Sequence, residues 1–316
     1  MWSERAKDLT RKCASDAGMG NPKSIKVITE PEAAAIYELM RRVETQEFSI
    51  DDTFVLCDAG GGTVDLISYT VKELQPPRVE EATSGSGGSC GSTFINRVFA
   101  KWLKSHLGDS PAWDDDVLFA AVDEFEQKVK KNFDPKKGHR DYMIRLPYFK
   151  DLPEKNIQKG KLGISTSQMK SFFEPVIIEV ISLVRDQISR TQGRAKSVIL
   201  VGGFGQSIYL KDRLQEAVQD GVRVVRGLNP VSAVVTGAAI YGVQESTPQI
   251  HVNSIESRKS RHHYGVEALV DYNSTIHESD KKFKDDFTGN LQVRAMNWII
   301  HKVYTETTFA AMLIFL

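Results

Sequence analysis

Cysteine is scarce in this sequence. Cys13, Cys57 and Cys90 are widely spaced and form no CxxC pair. That scarcity excludes a disulfide framework and a cysteine-based zinc site, and it points to a reducing, cytoplasmic setting. Net charge is absent as well, since 41 Lys and Arg balance 41 Asp and Glu. Such a balance marks no surface for nucleic acid or for an anionic membrane. No apolar run reaches the roughly 20 residues that a membrane-crossing helix needs. The apolar segment Phe309–Leu316 falls well short of that length, and Met1–Arg5 lacks the apolar core of a secretory signal. Neither GxxxxGK[ST] nor GxGxxG occurs, and neither does HExxH. His262-His263 has no supporting ligand nearby, and no Ser-His-Asp or Cys-His arrangement is readable. No internal repeat or long low-complexity stretch is visible.

What remains is the profile of a globular chain: 316 residues, 41% hydrophobic and 26% charged, long enough to bury a sizeable core. Helical spacing predicts helices over 3–17, 93–107, 114–133, 167–191 and 208–218. Glu30-Pro31 opens a further helix whose face is Ala33, Ala34, Ala35, Ile36 and Leu39, because proline is tolerated in a first turn. A last helix is expected from Asn229-Pro230 through Ile240. Strands are expected at Ser24–Thr29, Phe54–Cys57, Val64–Val71, Val198–Val201 and Val222–Val225. The glycine- and serine-rich stretch Gln75–Gly91 reads as loop, residues 134–165 as a small β-rich insert, and Lys136–Arg140 as a solvated basic loop.

Three segments carry chemistry. Asp58-Ala59-Gly60-Gly61-Gly62-Thr63-Val64-Asp65 lies between two apolar strands. A glycine turn lets backbone N–H groups approach an anion without Cβ clashes, and Asp58 offers a hard oxygen to a hydrated Mg²⁺. Val198–Val201 runs directly into Gly202-Gly203-Phe204-Gly205, a strand-to-helix turn that permits close approach of a phosphate or sugar. Ile28-Thr29-Glu30-Pro31-Glu32-Ala33-Ala34-Ala35 places Glu30 at a helix start, where it is also simply a favourable dipole partner.

In this order and separation, over roughly residues 3–243, the three segments resemble the heat-shock-protein-70 branch of the actin-like ATPases. Asn229-Pro230-Val231-Ser232-Ala233-Val234-Val235-Thr236-Gly237-Ala238-Ala239 resembles that family's closing motif, and Ser257–Val266 its strand entry after the ATPase domain. The resemblance implies an α/β, actin-like (ribonuclease-H-like) ATPase fold, incomplete at its front, followed by the start of a C-terminal β-rich region. Residues 1–50 would be a remnant of the first lobe with a crossover helix. Residues 51–245 would form the second lobe, with an insert at about 108–165, and residues 246–316 a partial extension.

The same resemblance implies ATP or ADP with Mg²⁺ as ligands. Asp58 and Glu30 would hold Mg²⁺ through water. Gly60, Gly61, Gly62 and Thr63 would cradle the β- and γ-phosphates. Gly202 and Gly203 would meet the α-phosphate and ribose, and Phe204 would join them in the nucleotide-binding set. Glu126, Lys130 and Lys131 would face the adenine, although a solvated basic face explains them equally well. Client polypeptides or co-chaperones are the implied partners.

Several positions depart from the family pattern. DAGGGT occurs once, and the family's first Asp-x-Gly-Thr phosphate loop and its lysine are not found. Gln206 stands where an arginine is usual, Val231-Ser232 replace an acidic pair, and Ser92 replaces a glutamate. ATP hydrolysis is therefore doubtful for this chain. Two alternatives stay open: a non-catalytic interaction module on the same scaffold, and a small-molecule kinase of the same superfamily. If the nucleotide reading holds, both glycine turns must open at one end of a single sheet, with Glu30 facing them.

Overall fold

The computed structural model describes residues 4–137, 142–147, 149–246, 254–300 and 302. Part of the basic run at 138–140 and the apolar segment Phe309–Leu316 lie outside them. The chain divides into two compact units, Met1–Glu256 and Ser257–Leu316.

The first unit begins with α1 (Glu4–Asp16) and α2 (Glu30–Glu44). Thr29 caps α2 in a capping box: its hydroxyl accepts from the Glu32 N–H, and the Glu32 carboxylate accepts from the Thr29 N–H. Next come β1 (Thr53–Ala59), β2 (Val64–Leu74), β3 (Pro77–Gly88), α3 (Thr93–Leu107) and α4 (Asp115–Glu124). A π-helical turn, Phe125–Lys130, extends α4. The insert forms its own three-stranded sheet from β4 (Tyr142–Arg145), β5 (Ile157–Gln158) and β6 (Lys161–Ile164), in the order β4-β6-β5. Ser165 caps the long helix α5 (Thr166–Arg190), again in a capping box. The unit closes with β7 (Ala195–Val201), the single turn α6 (Gly202–Gly205), α7 (Ile208–Ala217), β8 (Arg223–Arg226), α8 (Ala233–Ser246) and β9 (Ile255–Ser257).

The main sheet has the order β8-β7-β1-β2-β3-β9. β8, β7 and β1 are parallel, while β2 and β3 continue the sheet antiparallel. β1 is buried along its whole length because helices cover both faces of the sheet. Its side chains alternate between two cores. Val55, Cys57 and Ala59 join Phe99, Phe125, Phe172 and the insert on one face. Phe54 and Leu56 join Ala34, Ala35, Ile36 and Leu39 of α2 on the other.

Four expectations need correction. Ser24 ends a turn in which Ser24 N and Ile25 N donate to Asn21 O, and Ile25–Thr29 joins no described strand, since a strand exists only by pairing. Gln75–Gly91 is mostly strand: β3 pairs with β2 from Leu74↔Pro77 to Val64↔Gly88. Its small polar residues hold that conformation because Gln187 of α5 engages them. The Gln187 amide donates to Thr83 Oγ1 at 2.8 Å and to Ser68 Oγ at 2.9 Å, and Ser86 Oγ donates to Gln187 Oε1 at 2.7 Å. Residues 114–133 are not one α-helix, because the register widens to i→i+5 at Phe125. Finally, Asn229–Ser232 is a turn and α8 begins only at Ala233. The Pro230 carbonyl accepts from Gly202 N at 2.9 Å, so these residues are committed to tertiary bonds.

α2 and α8 cross at contact distance. A Cβ on Gly237 would overlap the Ala33 carbonyl oxygen, so only glycine fits there. The alanine face of α2 and the glycine of α8 form one interlocking pair. The second unit contains β10 (Tyr264–Asp271), β11 (Phe283–Lys284) and β12 (Leu291–Ile300) in the order β10-β12-β11. Many of its apolar side chains are exposed, Phe287 fully so at 99%.

Gly237→Ala should lower unfolding stability in urea by about 1–3 kcal/mol, since the added methyl has no space without moving backbone. Gly242→Ala lies in the same helix with nothing within 4 Å of its would-be Cβ. It should be neutral or stabilising by up to about 1 kcal/mol. Equal effects of the two substitutions would contradict the crossing.

Candidate functional site

β1 and β7 lie side by side and parallel, with Asp58 opposite Val201. The Gly60–Thr63 turn and the Gly202-Gly203 turn therefore open at the same end of the sheet, although they are far apart in the chain. Their approach is intimate. Gly202 has φ +82°, and a Cβ there would sit 2.5 Å from both the Ala59 carbonyl oxygen and Asp58 Oδ1. Gly202 is thus required for the fold of the mouth. Gly203 has nothing within 4 Å of its would-be Cβ and is open toward a ligand.

The first turn is clasped from behind by the start of α3. Ser92 N donates to Gly60 O at 3.1 Å, Gly91 N to Gly62 O at 3.2 Å, and Thr93 N to Gly61 O at 2.9 Å. The Thr93 hydroxyl also donates to Gly61 O at 2.8 Å. A Cβ on Gly91 would overlap Gly61 backbone. With all three glycine carbonyls engaged, the Gly61 and Gly62 N–H groups donate to no acceptor among the described residues. Outward N–H groups on a fixed glycine turn form an anion cradle. Gly91 and Thr93 were not singled out from sequence. The only signals were Gly91 at the end of the stretch expected as loop and Thr93 at the start of the expected helix.

Asp58 is buried at 6% exposure, and its carboxylate has no hydrogen-bond or ion-pair partner among the described residues. Burial chiefly, and then the charges of Glu30 and Asp65, push its pKa up to about 6. Glu30, the first residue of α2, lies close enough for its charge to act on Asp58. Three carboxylates converge electrostatically, yet no three acidic, histidine or cysteine side chains are grouped tightly enough to hold a bare metal ion among the described residues. That donor set fits a hydrated divalent cation whose shell is completed by water and phosphate oxygens. Thr63 is exposed at the end of the first turn.

A cleft of about 460 Å³ leads away from the mouth. Gly61 and Gly203 line the end beside the two turns, and Ser92, Glu126, Lys130, Lys131, Phe204 and Gln206 line most of the rest. The structure thus gathers residues from both turns and from the π-helical segment. Phe204 borders the cleft while its ring belongs to the core.

Lys130 is nearly buried. Its ammonium donates to Asn96 Oδ1 at 2.9 Å, Ser92 O at 3.2 Å and Glu126 Oε1 at 3.3 Å. The Asn96 amide donates in turn to Glu126. Desolvation lowers the Lys130 pKa despite the Glu126 charge. Lys130 therefore braces Glu126, and Lys131 is the more accessible cation of the pair. Asn96 was not anticipated from sequence, because a lone asparagine in a helix carries no signal.

No family model matches the sequence. The chain is 24% identical to mouse heat shock 70 kDa protein 12A over 370 residues, covering 91% of this chain and 53% of that protein. It is 23% identical to human heat shock 70 kDa protein 12B over 367 residues, covering 89% and 51% respectively. It is also 26% identical to the chaperone protein DnaK of Thermosipho africanus over 246 residues, covering 74% and 38%. The chain is similar, over most of its length, to divergent members of the heat-shock protein 70 family. It spans about half the length of the protein 12A and 12B relatives. Its mixed sheet, flanked by helices, fits the actin-like ATPase fold of that family. No described helix is long and apolar enough to cross a membrane.

Two substitutions separate structure from site. Gly202→Ala should destabilise the protein, because its φ of +82° and its neighbours both exclude a Cβ, whereas Gly203→Ala should leave the urea midpoint unchanged. In chelator, Asp58→Asn should raise stability at pH 7. The folded carboxyl has a raised pKa, so its ionised form costs stability above about pH 6. The gain should fade as pH falls from about 6 into the ordinary carboxylate range. A gain that grows on acidification would contradict this burial.

Proposed function

We propose that this chain binds ATP or ADP with Mg²⁺ in the mouth between its two glycine turns. The single observation that carries this reading is the adjacency of the parallel strands β1 and β7. It sets the outward N–H groups of Gly61 and Gly62 beside the open backbone of Gly203. The phosphates rest on Gly60–Thr63 and Gly203. The ribose and base extend along the cleft toward Glu126, Lys131 and Gln206. Asp58 and Glu30 orient the waters of the cation, which offsets phosphate charge.

The chain has one such phosphate turn in its sequence. Phosphoryl transfer is stabilised by donors and cations placed around the whole transferring group. We therefore assign nucleotide binding to this chain and little turnover. Client polypeptides and co-chaperones enter this reading through the family, whose members here include a protein named as a chaperone.

Calorimetry with Mg²⁺ and ATP tests the assignment. Asp58→Asn should weaken the Mg²⁺-dependent part of binding, because an amide pulls less on hydrated Mg²⁺ than a carboxylate does. Gly203→Val should weaken binding with or without Mg²⁺, by filling the approach to the backbone. Parental affinity in both variants would place the nucleotide elsewhere. Absence of binding in the parent would favour the interaction-module alternative. Steady-state turnover should stay below about 1 s⁻¹, the lower end of the ordinary enzyme range.

A further inference from the structure

A second hollow, of about 730 Å³, adjoins the cleft and shares Gln206 and Val231 with it. It lies between the start of α7 and the loop that joins β8 to α8. No acidic side chain lines it, whereas two cations, Lys211 and Arg226, do. Neither cation forms an ion pair with a described residue. The one side-chain bond of Arg226 runs from Nη1 to the Gln206 carbonyl oxygen, at 3.4 Å.

These unpaired cations stand out against their surroundings. On the same helix α7, Asp212 is taken by Lys136, and Arg213 by Glu174 and Glu216. Val231 and Ser232, which follow Asn229-Pro230 and carry no charge, both line the hollow. Val225, Leu228, Pro230 and Val231 give it an apolar wall.

The wall is preformed. Gly227 N donates to Leu200 O at 2.7 Å, and Gly202 N to Pro230 O at 2.9 Å. Leu228 N donates to Glu38 Oε1 at 3.0 Å, and Asn229 Nδ2 to Tyr37 Oη at 2.7 Å. Glu38 is itself fully buried and paired with Arg42. A concave, rigid surface with an apolar wall and a few converging charged groups is the usual form of a small-molecule site.

We propose that this hollow binds a small organic anion, a phosphate or carboxylate head on an apolar body, beside the nucleotide cleft with which it shares Gln206 and Val231. Lys211 and Arg226 take the head, and Leu228, Pro230 and Val231 take the body. The guanidinium of Arg226 suits a planar, two-oxygen acceptor in particular.

Phenyl phosphate serves as the probe, titrated by calorimetry into the full chain, into K211E/R226E and into Gly203→Val. One equivalent should bind to the parent and to Gly203→Val alike. K211E/R226E should bind at least tenfold more weakly while its circular dichroism stays unchanged. If charge reversal disturbs the fold, K211Q/R226Q replaces it and should show the same loss.

Three results would overturn the proposal. The first is no saturable binding at millimolar probe. The second is unaltered binding in K211E/R226E. The third is binding lost in Gly203→Val alone, which would put the probe in the phosphate mouth. Inorganic phosphate binding as tightly as phenyl phosphate would overturn the apolar half. Mg²⁺-ATP titration of the same proteins is read separately, so failure of the nucleotide reading leaves this result interpretable.

Discussion

The parallel pairing of β1 with β7 is the constraint on which the rest depends. Nothing local joins Asp58 to Gly202, yet the register Asp58↔Val201 sets the two glycine turns edge to edge. The fit tolerates no side chain at Gly202. Parallel strands need a crossover, and here that crossover contains β2, β3, α3, α4, the insert and α5. Most of the first unit is therefore the connection between the two halves of one mouth. The Phe99, Phe125 and Phe172 rings in that connection stack or meet edge-on and fix it against the sheet.

A second constraint acts from the opposite face of the sheet. Glu38 and Arg42 form an ion pair with almost no exposure, and such pairs are weak sources of net stability. Burial holds the Glu38 pKa above the usual carboxylate range even beside Arg42. Its contribution is positional. Glu38 accepts from Leu228 N, and Arg42 donates to Arg226 O at 3.3 Å, so α2 grips the loop after β8. The helix that brings Glu30 close to Asp58 thereby also holds the wall of the neighbouring hollow.

Much of the site was legible because its residues declare themselves locally. A DxGGGT turn between apolar strands, and a branched strand running into Gly-Gly, each require the conformation they adopt. The adjacency of the two turns followed only from their resemblance to a family, since periodicity says nothing about which strands pair. What stayed illegible depended on tertiary partners. The polar residues Thr83–Ser86 read as loop because their partner, Gln187, is about a hundred residues away. Asn96 and Gly91 owe their roles to Lys130, Glu126 and the Gly61 carbonyl, none of which is near in sequence. Ser24–Thr29 has the composition of a strand, but composition cannot supply a neighbour.

The π-helical turn at Phe125–Lys130 has one further consequence. It accommodates one residue more than an α-helical ladder of the same length would hold. Losing a residue there would let the ladder close into the ordinary α-helical register, with little cost to backbone bonding. The bulge would absorb the loss, so the helix on either side would keep nearly its rotational phase while the spacing of residues inside the turn changed. Glu126 and Lys130 would no longer stack as the braced pair that lines the cleft. The segment is thus forgiving toward folding and intolerant toward geometry, so shortening it would change what the cleft accepts long before it unfolded the protein.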